Sequence, residues 1–231
     1  MNDAGRIAAT AALLGEPARA NMMAALMDGR ALTAKELAFA AHVAAPTASG
    51  HLARLTEAGL LSVQRQGRHR YFRLATPAIG RMIEAIMAAT QPGPVGPVST
   101  WRGGQALRTA RTCYDHLAGR LGVGIADALV ARGHVVLSED GGEVTAAGRS
   151  FLDEFGATPP VRPRASARIF CRPCLDWSER RAHIAGAVGA ALACRCFELG
   201  WIARQRDGRA LTITQTGRQG LADMFGVEIP V

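Results

Sequence analysis

Thr33-Ala-Lys-Glu-Leu37, Ala45-Pro-Thr-Ala-Ser-Gly-His-Leu52, Leu55-Thr-Glu-Ala-Gly-Leu-Leu61 and Gln64-Arg-Gln-Gly-Arg-His-Arg70 follow one another in a single run, and their order decides the fold. Thr33 with Glu36 three residues on is a capping box and opens a short helix. A turn through Ala44-Ala45 follows, with Pro46 at the first position of the next helix, where a missing N–H is harmless. Thr47 to Leu60 sets Ala48, Leu52, Leu55 and Leu60 at helical spacing and leaves Thr47, Ser49, His51 and Arg54 to solvent. Gly59 ends that helix. Leu61-Ser-Val63 and Tyr71-Phe-Arg-Leu74 read as strands joined by the arginine-bearing tip, and no acid occurs from Ser62 to Arg73. A helix-turn-helix followed by a basic β-wing is a device for reading duplex DNA.

The rest of the chain bounds that reading. Its 231 residues are 48% hydrophobic, enough to bury a core, and they suffice for one large domain or two small ones. No apolar run approaches the roughly 20 residues that span a bilayer. Met1-Asn-Asp-Ala-Gly-Arg6 lacks the apolar core of a signal peptide, so a cytoplasmic protein with no membrane partner is expected. The formal charge is +8, Lys35 being the one lysine, and the pI near 10.2 favours a polyanionic partner. Each half of the chain, 1–90 and 91–231, carries +4, so the local wing cluster argues for DNA more strongly than the total. An odd number of cysteines, five, argues against a disulfide framework.

Residues 6–30 read as an amphipathic helical region in two pieces, broken near Gly15-Glu-Pro17. Pro77 to Ala89 reads as a further helix with Ile79, Met82, Ile83 and Ile86 on one face, suited to a dimer interface or to packing on its own domain. Gln91-Pro-Gly-Pro-Val-Gly-Pro97 reads as a linker. The second half is duplicated. His116-Leu-Ala-Gly-Arg-Leu-Gly122 recurs as His183-Ile-Ala-Gly-Ala-Val-Gly189, and Gly133 pairs with Gly200 at the same offset of 67. After two inserted residues Thr145-Ala-Ala-Gly-Arg149 recurs as Thr214-Gln-Thr-Gly-Arg218. Each copy reads as a long helix, a glycine stop, two strands around a turn and a short helix. The expected fold is therefore mainly α with small β-wings (α+β). It comprises a winged helix-turn-helix domain over 1–90, a linker over 91–106 and a domain of two winged-helix-like repeats over 107–231 (repeats about 107–156 and 174–226). Matching glycines are expected to allow close helix contact between the repeats.

On Leu14-Gly-Glu-Pro-Ala-Arg19 with Leu26 following, the first three stretches quoted above and the Gly67–Leu74 wing, residues 6–90 resemble the arsenical-resistance repressor (ArsR/SmtB) family of bacterial regulators. The resemblance implies a homodimer that represses by placing one recognition helix per subunit in the major groove of operator DNA. By position the base-facing residues are Ala45, Thr47, Ser49, Gly50 and His51, with Lys35, Arg54, Arg65, Arg68, His69 and Arg70 completing the DNA set. Ala45 stands where the family often has Gln, and Gly50 where it often has a larger polar residue, which shifts weight to the arginine wing. The family's familiar metal sites have no counterpart here: Glu36-Leu-Ala-Phe-Ala-Ala41 has no thiol, and Pro77 to Ala89 offers only Glu84.

All five cysteines lie in the second half. A four-thiolate zinc ribbon from Cys171, Cys174, Cys194 and Cys196 is disfavoured. Asp176-Trp-Ser-Glu179 reads as a capping box opening a helix to Leu199, and a continuous helix would part Cys174 from Cys194 by roughly 30 Å. Cys194 and Cys196 read as core residues. Cys174, just before that helix and near Arg172, Arg180 and Arg181, has the setting of a low-pKa thiol. Cys113 and His116 fall three apart, on one helix face. The duplication makes His116 and His183 equivalent, so Cys113, His116, Cys174 and His183 can converge on a pseudo-two-fold axis and hold a metal. Tyr114 and Trp177 would be walls, with Asp176 and Arg180 nearby. The second half resembles the C-terminal extension of longer family members, with similar Arg-Thr-Cys-Tyr-Asp-His and Cys-Leu-Asp-Trp runs, which implies a sensor role.

No hydrolase elbow, Walker loop or zincin pair occurs, so an enzyme is not expected. The reading is a DNA-binding homodimeric repressor released by an effector or thiol modification in its second half. No cofactor is obligatory; the effector is a thiophilic metal, a metalloid or oxidant acting on Cys174 and Cys113, or a small organic molecule. Two rivals remain: a CxxC thiol oxidoreductase, Cys171-Arg-Pro-Cys174, fused to a DNA-binding module, and an effector-free architectural DNA protein using the basic turn Arg204-Gln-Arg-Asp-Gly-Arg209.

Overall fold

In a computed structural model, the structure describes residues 2–67, 69–90, 104–139, 141–159, 169–205 and 208–229. The chain divides into two compact units, Met1–Ile86 and Met87–Val231.

The first unit begins with α1 (Asp3–Leu14) and α2 (Pro17–Ala25), separated by the Gly15-Glu16 break, where the Glu16 carboxylate accepts from the amides of Ala18 and Arg19. A short strand β1 (Leu32–Thr33) leads into α3 (Ala34–Ala40). The capping box at its start is complete: Glu36 N donates to Thr33 Oγ1 at 3.3 Å, and Thr33 N donates to Glu36 Oε2 at 2.7 Å. Next comes α4 (Ala45–Glu57), which buries Ala48, Leu52 and Leu55 and stops before Gly59 at φ 72°. Its first turn starts one residue ahead of Pro46. The hairpin of β2 (Leu61–Gln66) and β3 (His69–Leu74) is longer than the sequence suggests, pairing as far as Gln66 with His69. Polar strand residues facing solvent on both sides of the tip give no alternation to read. β1 adds to β3, with Leu32 opposite Phe72, making a three-stranded sheet. The helix α5 (Pro77–Ala89) has the bounds expected of it. Met22, Leu26, Leu37, Leu52, Leu55 and Phe72 fill the core between helices and sheet.

The second unit opens with α6 (Gly104–Thr109), so the last three residues assigned to a linker are helical, while 91–103 lie outside the described residues. Then come β4 (Arg111–Cys113), β5 (His116–Ala118), α7 (Gly119–Ala131), β6 (Val135–Leu137), β7 (Gly142–Val144) and α8 (Ala146–Phe155). The same order returns as β8 (Arg172–Leu175), β9 (Ala182–Ala185), α9 (Gly186–Glu198), β10 (Ile202–Arg204), β11 (Leu211–Ile213) and α10 (Gln215–Phe225). Each repeat is thus hairpin, helix, hairpin, helix, and the leading hairpins correct two expectations. Cys113 and His116 share a strand pair across a two-residue turn rather than a helix face. Asp176 to Leu199 is not one helix: Asp176 to Arg181 is the turn between β8 and β9, and the helix starts at Gly186. The capping-box signature misled because Asp176 accepts from the amides of Ser178 and Glu179, the bonds of an N-cap made instead in a turn.

The repeats exchange partners. α7 packs on β9 and α9 on β5, and one hydrophobic cluster runs through both, from Leu121 and Leu129 to Leu192 and Phe225. Gly122 and Gly189, equivalent at the offset of 67, seat each helix tightly on the hairpin of its own repeat: a Cβ on Gly122 would lie 2.4 Å from Leu117 O, and one on Gly189 2.2 Å from Ile184 O. The same two positions also meet the other repeat: a Cβ on Gly189 would stand 3.1 Å from His116 Cβ, closer than ordinary contact, and one on Gly122 3.6 Å from His183 Cβ.

Candidate functional site

Two groupings of side chains stand out, one in each unit. In the first, Ala45, Thr47, Ser49, Gly50 and Arg54 all lie on the exposed side of α4, and Lys35 is exposed on α3. Arg65 and Arg70 sit opposite each other on the wing and are exposed, as is His69; Arg68 lies outside the described residues. A groove of about 390 Å³ is bordered by Ser49, Ala53 and Thr56 of α4 and by Val63, Arg70 and Phe72 of the wing. Helix and wing thus frame one basic-edged surface. His51 departs from the expectation of a free base-reading residue. Its ring turns toward α2, with Nδ1 3.4 Å from Arg19 Nη1 and 3.6 Å from Glu16 Oε2.

In the second unit the structure brings Cys113, His116, Cys174 and His183 together, one ligand atom of each lying within 4.8 Å of all the others. Each repeat supplies a strand pair: Cys113 is the register partner of His116, and Cys174 of His183. The two sulfurs are 3.9 Å apart and the two Nε2 atoms 3.1 Å apart. Cys113, His116 and His183 are buried, and Cys174 is half-buried. Outward from the cluster, His116 Nδ1 lies 3.2 Å from Asp115 Oδ1 and His183 Nδ1 lies 3.4 Å from Asp176 Oδ2.

Asp176, fully buried, joins the repeats. Its Oδ2 accepts from Gly119 N at 2.6 Å and from Arg111 Nη2 at 2.9 Å, while Oδ1 accepts from Ser178. Burial opposes its charge, but His183, Arg111 and the Gly119 amide hold its carboxyl well below the usual range. Burial alone would push His183 down; Asp176 and Cys174 outweigh it and raise the imidazole to about 9. Cys174 is driven toward thiolate, first by the Cys113 thiol and then, against burial, by His116 and His183. A helix N-terminus is not the cause, since Cys174 lies within β8. Cys171, Cys194 and Cys196 shift the opposite way. Burial lifts Cys171 to about 11 and Cys196 to about 12, and the neighbouring Glu198 raises Cys194.

Of the remaining effector residues, Trp177 is buried with the Arg111 guanidinium 4.5 Å from its ring centre, so it walls the ion pair. Tyr114 and Arg180 both take left-handed backbone, at φ 59° and 56°, in the turns of the two leading hairpins. Tyr114 is half-buried and Arg180 exposed. Arg111 and Asp115 were missed by the sequence reading. Both lie in the Arg111-Thr-Cys-Tyr-Asp-His116 run already quoted, and recognising that run as a hairpin would have put Asp115 beside the His116 ring. The CxxC rival loses its geometry, because the sulfur partner of Cys174 is Cys113 and Cys171 is a buried, high-pKa thiol. Among the described residues no helix is long and apolar enough to cross a membrane.

Residues 16–63 match the family described as "Bacterial regulatory protein, arsR family". Over 223 residues, 96% of this chain and 98% of the other, the sequence is 42% identical to the "Uncharacterized HTH-type transcriptional regulator YdfF" of Bacillus subtilis (strain 168). Among solved structures, the transcriptional repressor BigR from Xylella fastidiosa is similar at 22% identity and a TM-score of 0.36, over 38% of this chain and 90% of that one. The homodimeric winged helix-turn-helix DNA-binding domain of Mb0332 from Mycobacterium bovis (fragment 1–100) is similar at 22% identity and a TM-score of 0.35, over 38% and 86%.

Proposed function

The chain belongs to the arsR family of HTH-type transcriptional regulators, which are not enzymes, and from that premise we propose a homodimeric operator-binding repressor whose second unit senses an effector. The observation that carries the DNA half is the groove shared by α4 and the wing, where Ser49 and Arg70 border one surface. Phosphate contacts fall to Arg65, Arg68 and Arg70, and base-edge contacts to the exposed Thr47, Ser49 and Gly50 of α4. His51 buttresses α4 from α2 instead. A dimer is supported by the apolar groove between α1 and α5, lined by Ile7, Leu14, Met82 and Ile86, in which Ile7 is 70% exposed. A second copy covering it gives the two-fold that a near-palindromic site requires. Such a protein works in the cytoplasm, where its DNA is.

The effector site is the Cys113, His116, Cys174 and His183 cluster, offering a thiophilic metal or a thiol reagent two sulfurs and two imidazoles. Its occupant must bind the DNA-incompetent dimer more tightly than the competent one, or no release follows. Fluorescence anisotropy of the reduced protein on its own upstream DNA tests the DNA half. Tight binding that weakens steeply with salt supports the repressor; equal affinity for that DNA and random duplex contradicts it and favours the architectural rival.

A further inference from the structure

From the geometry of the repeat interface we propose that Cys113, His116, Cys174 and His183 form a tetrahedral Cys2His2 site for a divalent zinc-type cation that cross-links the two repeats. This names the occupant of the sensor unit and rests on the repressor reading for its regulatory meaning alone.

The ligand atoms stand at distances a tetrahedral ion requires. Around a tetrahedral zinc with Zn–S about 2.3 Å and Zn–N about 2.0–2.1 Å, two sulfurs stand about 3.8 Å apart and two nitrogens about 3.3 Å apart. The observed separations are 3.9 Å and 3.1 Å. All four ligand atoms lie within 4.8 Å of one another, so no edge needs to shorten by more than about an ångström. The imidazoles are also oriented for a metal. Each Nδ1 points at a carboxylate, Asp115 or Asp176. His116 Nδ1 is hydrogen-bonded to Asp115, His183 Nδ1 stands 3.4 Å from Asp176 without a completed bond, and the two Nε2 atoms face each other at 3.1 Å, where a proton or a cation must lie between them. Metal-binding histidines are held in this way, by a carboxylate on the far nitrogen that fixes ring and tautomer.

Charge selects the cation. Two thiolates and a dication sum to zero, and the adjoining Arg111–Asp176 pair is already balanced, so no net charge is left in a buried site. A monovalent soft cation would leave a buried negative charge. A pyramidal trivalent metalloid calls for a third thiolate, and Cys171, Cys194 and Cys196 are not part of the cluster. Mixed sulfur and imidazole ligation in tetrahedral array fits Zn²⁺, with Co²⁺ as its spectroscopic stand-in.

The fold explains why these four converge. His116 and His183 are offset by 67, whereas Cys113 and Cys174 are offset by 61. The eight residues between Cys174 and His183, against two between Cys113 and His116, account for the difference. In register the thiols are as equivalent as the imidazoles, so the site is the pseudo-two-fold axis of the duplication made chemical.

Anaerobic titration of the reduced full-length chain with Co²⁺, without DNA, tests the site apart from the repressor reading. The expected result is the intense visible spectrum of tetrahedral Co²⁺ with a thiolate charge-transfer band, saturating at one ion per chain and bleached by Zn²⁺. Cys113→Ser and Cys174→Ser should each lose the charge-transfer intensity and bind Co²⁺ more than about a hundredfold more weakly, while Cys194→Ser keeps both. Asp115→Asn, at a half-exposed position that spares the core, should lower Zn²⁺ affinity about ten- to a hundredfold. Far-ultraviolet circular dichroism identifies any variant that has failed to fold. A pale octahedral spectrum from the folded wild type, or a tetrahedral spectrum unchanged in both folded cysteine variants, overturns the proposal.

Discussion

Gly50 lies inside α4 with nothing within 4 Å of the place a Cβ would take, so its lack of a side chain serves no packing need of the unit. Gly50→Ala should therefore stabilise the protein by about 0.5–1 kcal/mol in urea unfolding, the usual helix gain. Gly50→Glu should retain part of that gain yet lower DNA affinity about tenfold or more, because it sets an acid against phosphate. Stability gained without loss of DNA binding would place α4 outside the groove. Arg70 makes a complementary case. Arg70→Ala should weaken binding on every sequence alike and reduce the log–log salt slope by about 0.9, one phosphate contact; an unaltered slope removes the wing from the interface. These surface positions were legible in the sequence because helical spacing separates exposed from buried residues. The inward turn of His51 was not, since Glu16 and Arg19 are more than thirty positions away.

At the scale of elements, hydrogen bonds local to the sequence were readable and those between distant strands were not. The Thr33–Glu36 box could be read because both partners sit within one turn. Thr33→Ala should cost about 1 kcal/mol, seen as a lower urea midpoint with an unchanged slope. The backbone and hydroxyl of Thr33 hold the Glu36 carboxyl below its ordinary value. A lowered folded-state pKa means that the box contributes fully above the unfolded value and loses its contribution as pH falls through the folded one. The difference between wild type and Glu36→Gln should accordingly shrink on acidification below about pH 4.5. The leading hairpins, by contrast, are three- and four-residue strands, too short for alternation to declare itself, and Ala182-His-Ile-Ala185 reads as helix as easily as strand. Their existence is enforced by packing, with a helix of the opposite repeat on each hairpin and the helix of its own repeat seated close through Gly122 or Gly189. Gly189→Ala should destabilise the second unit by about 1–3 kcal/mol or more, because its methyl meets backbone that cannot swing aside.

For the whole molecule, the duplication was the decisive signal. It made His116 and His183 equivalent on paper, which is why the four-residue cluster was foreseeable although the helices imagined to carry it are strands. What remained hidden was the equivalence of Cys113 and Cys174, masked by the longer β8–β9 turn. In the first unit, the apolar α1–α5 groove predicts self-association. Ile7→Asp, at a position exposed in the single chain, should convert the dimer to monomer in sedimentation equilibrium and lose operator affinity with it; a persistent dimer would move the interface elsewhere. In the proposed repressor the second unit governs DNA binding by the first through the Cys2His2 cluster. Its most direct test is anisotropy of the reduced protein on its upstream DNA, with and without saturating Zn²⁺, for wild type and Cys174→Ser. Zn²⁺ should weaken binding of the wild type at least about tenfold, a coupling of about 1.4 kcal/mol, and leave the variant's equally tight binding unchanged. The same affinity with and without Zn²⁺ in the wild type, or release that survives in Cys174→Ser, would contradict it.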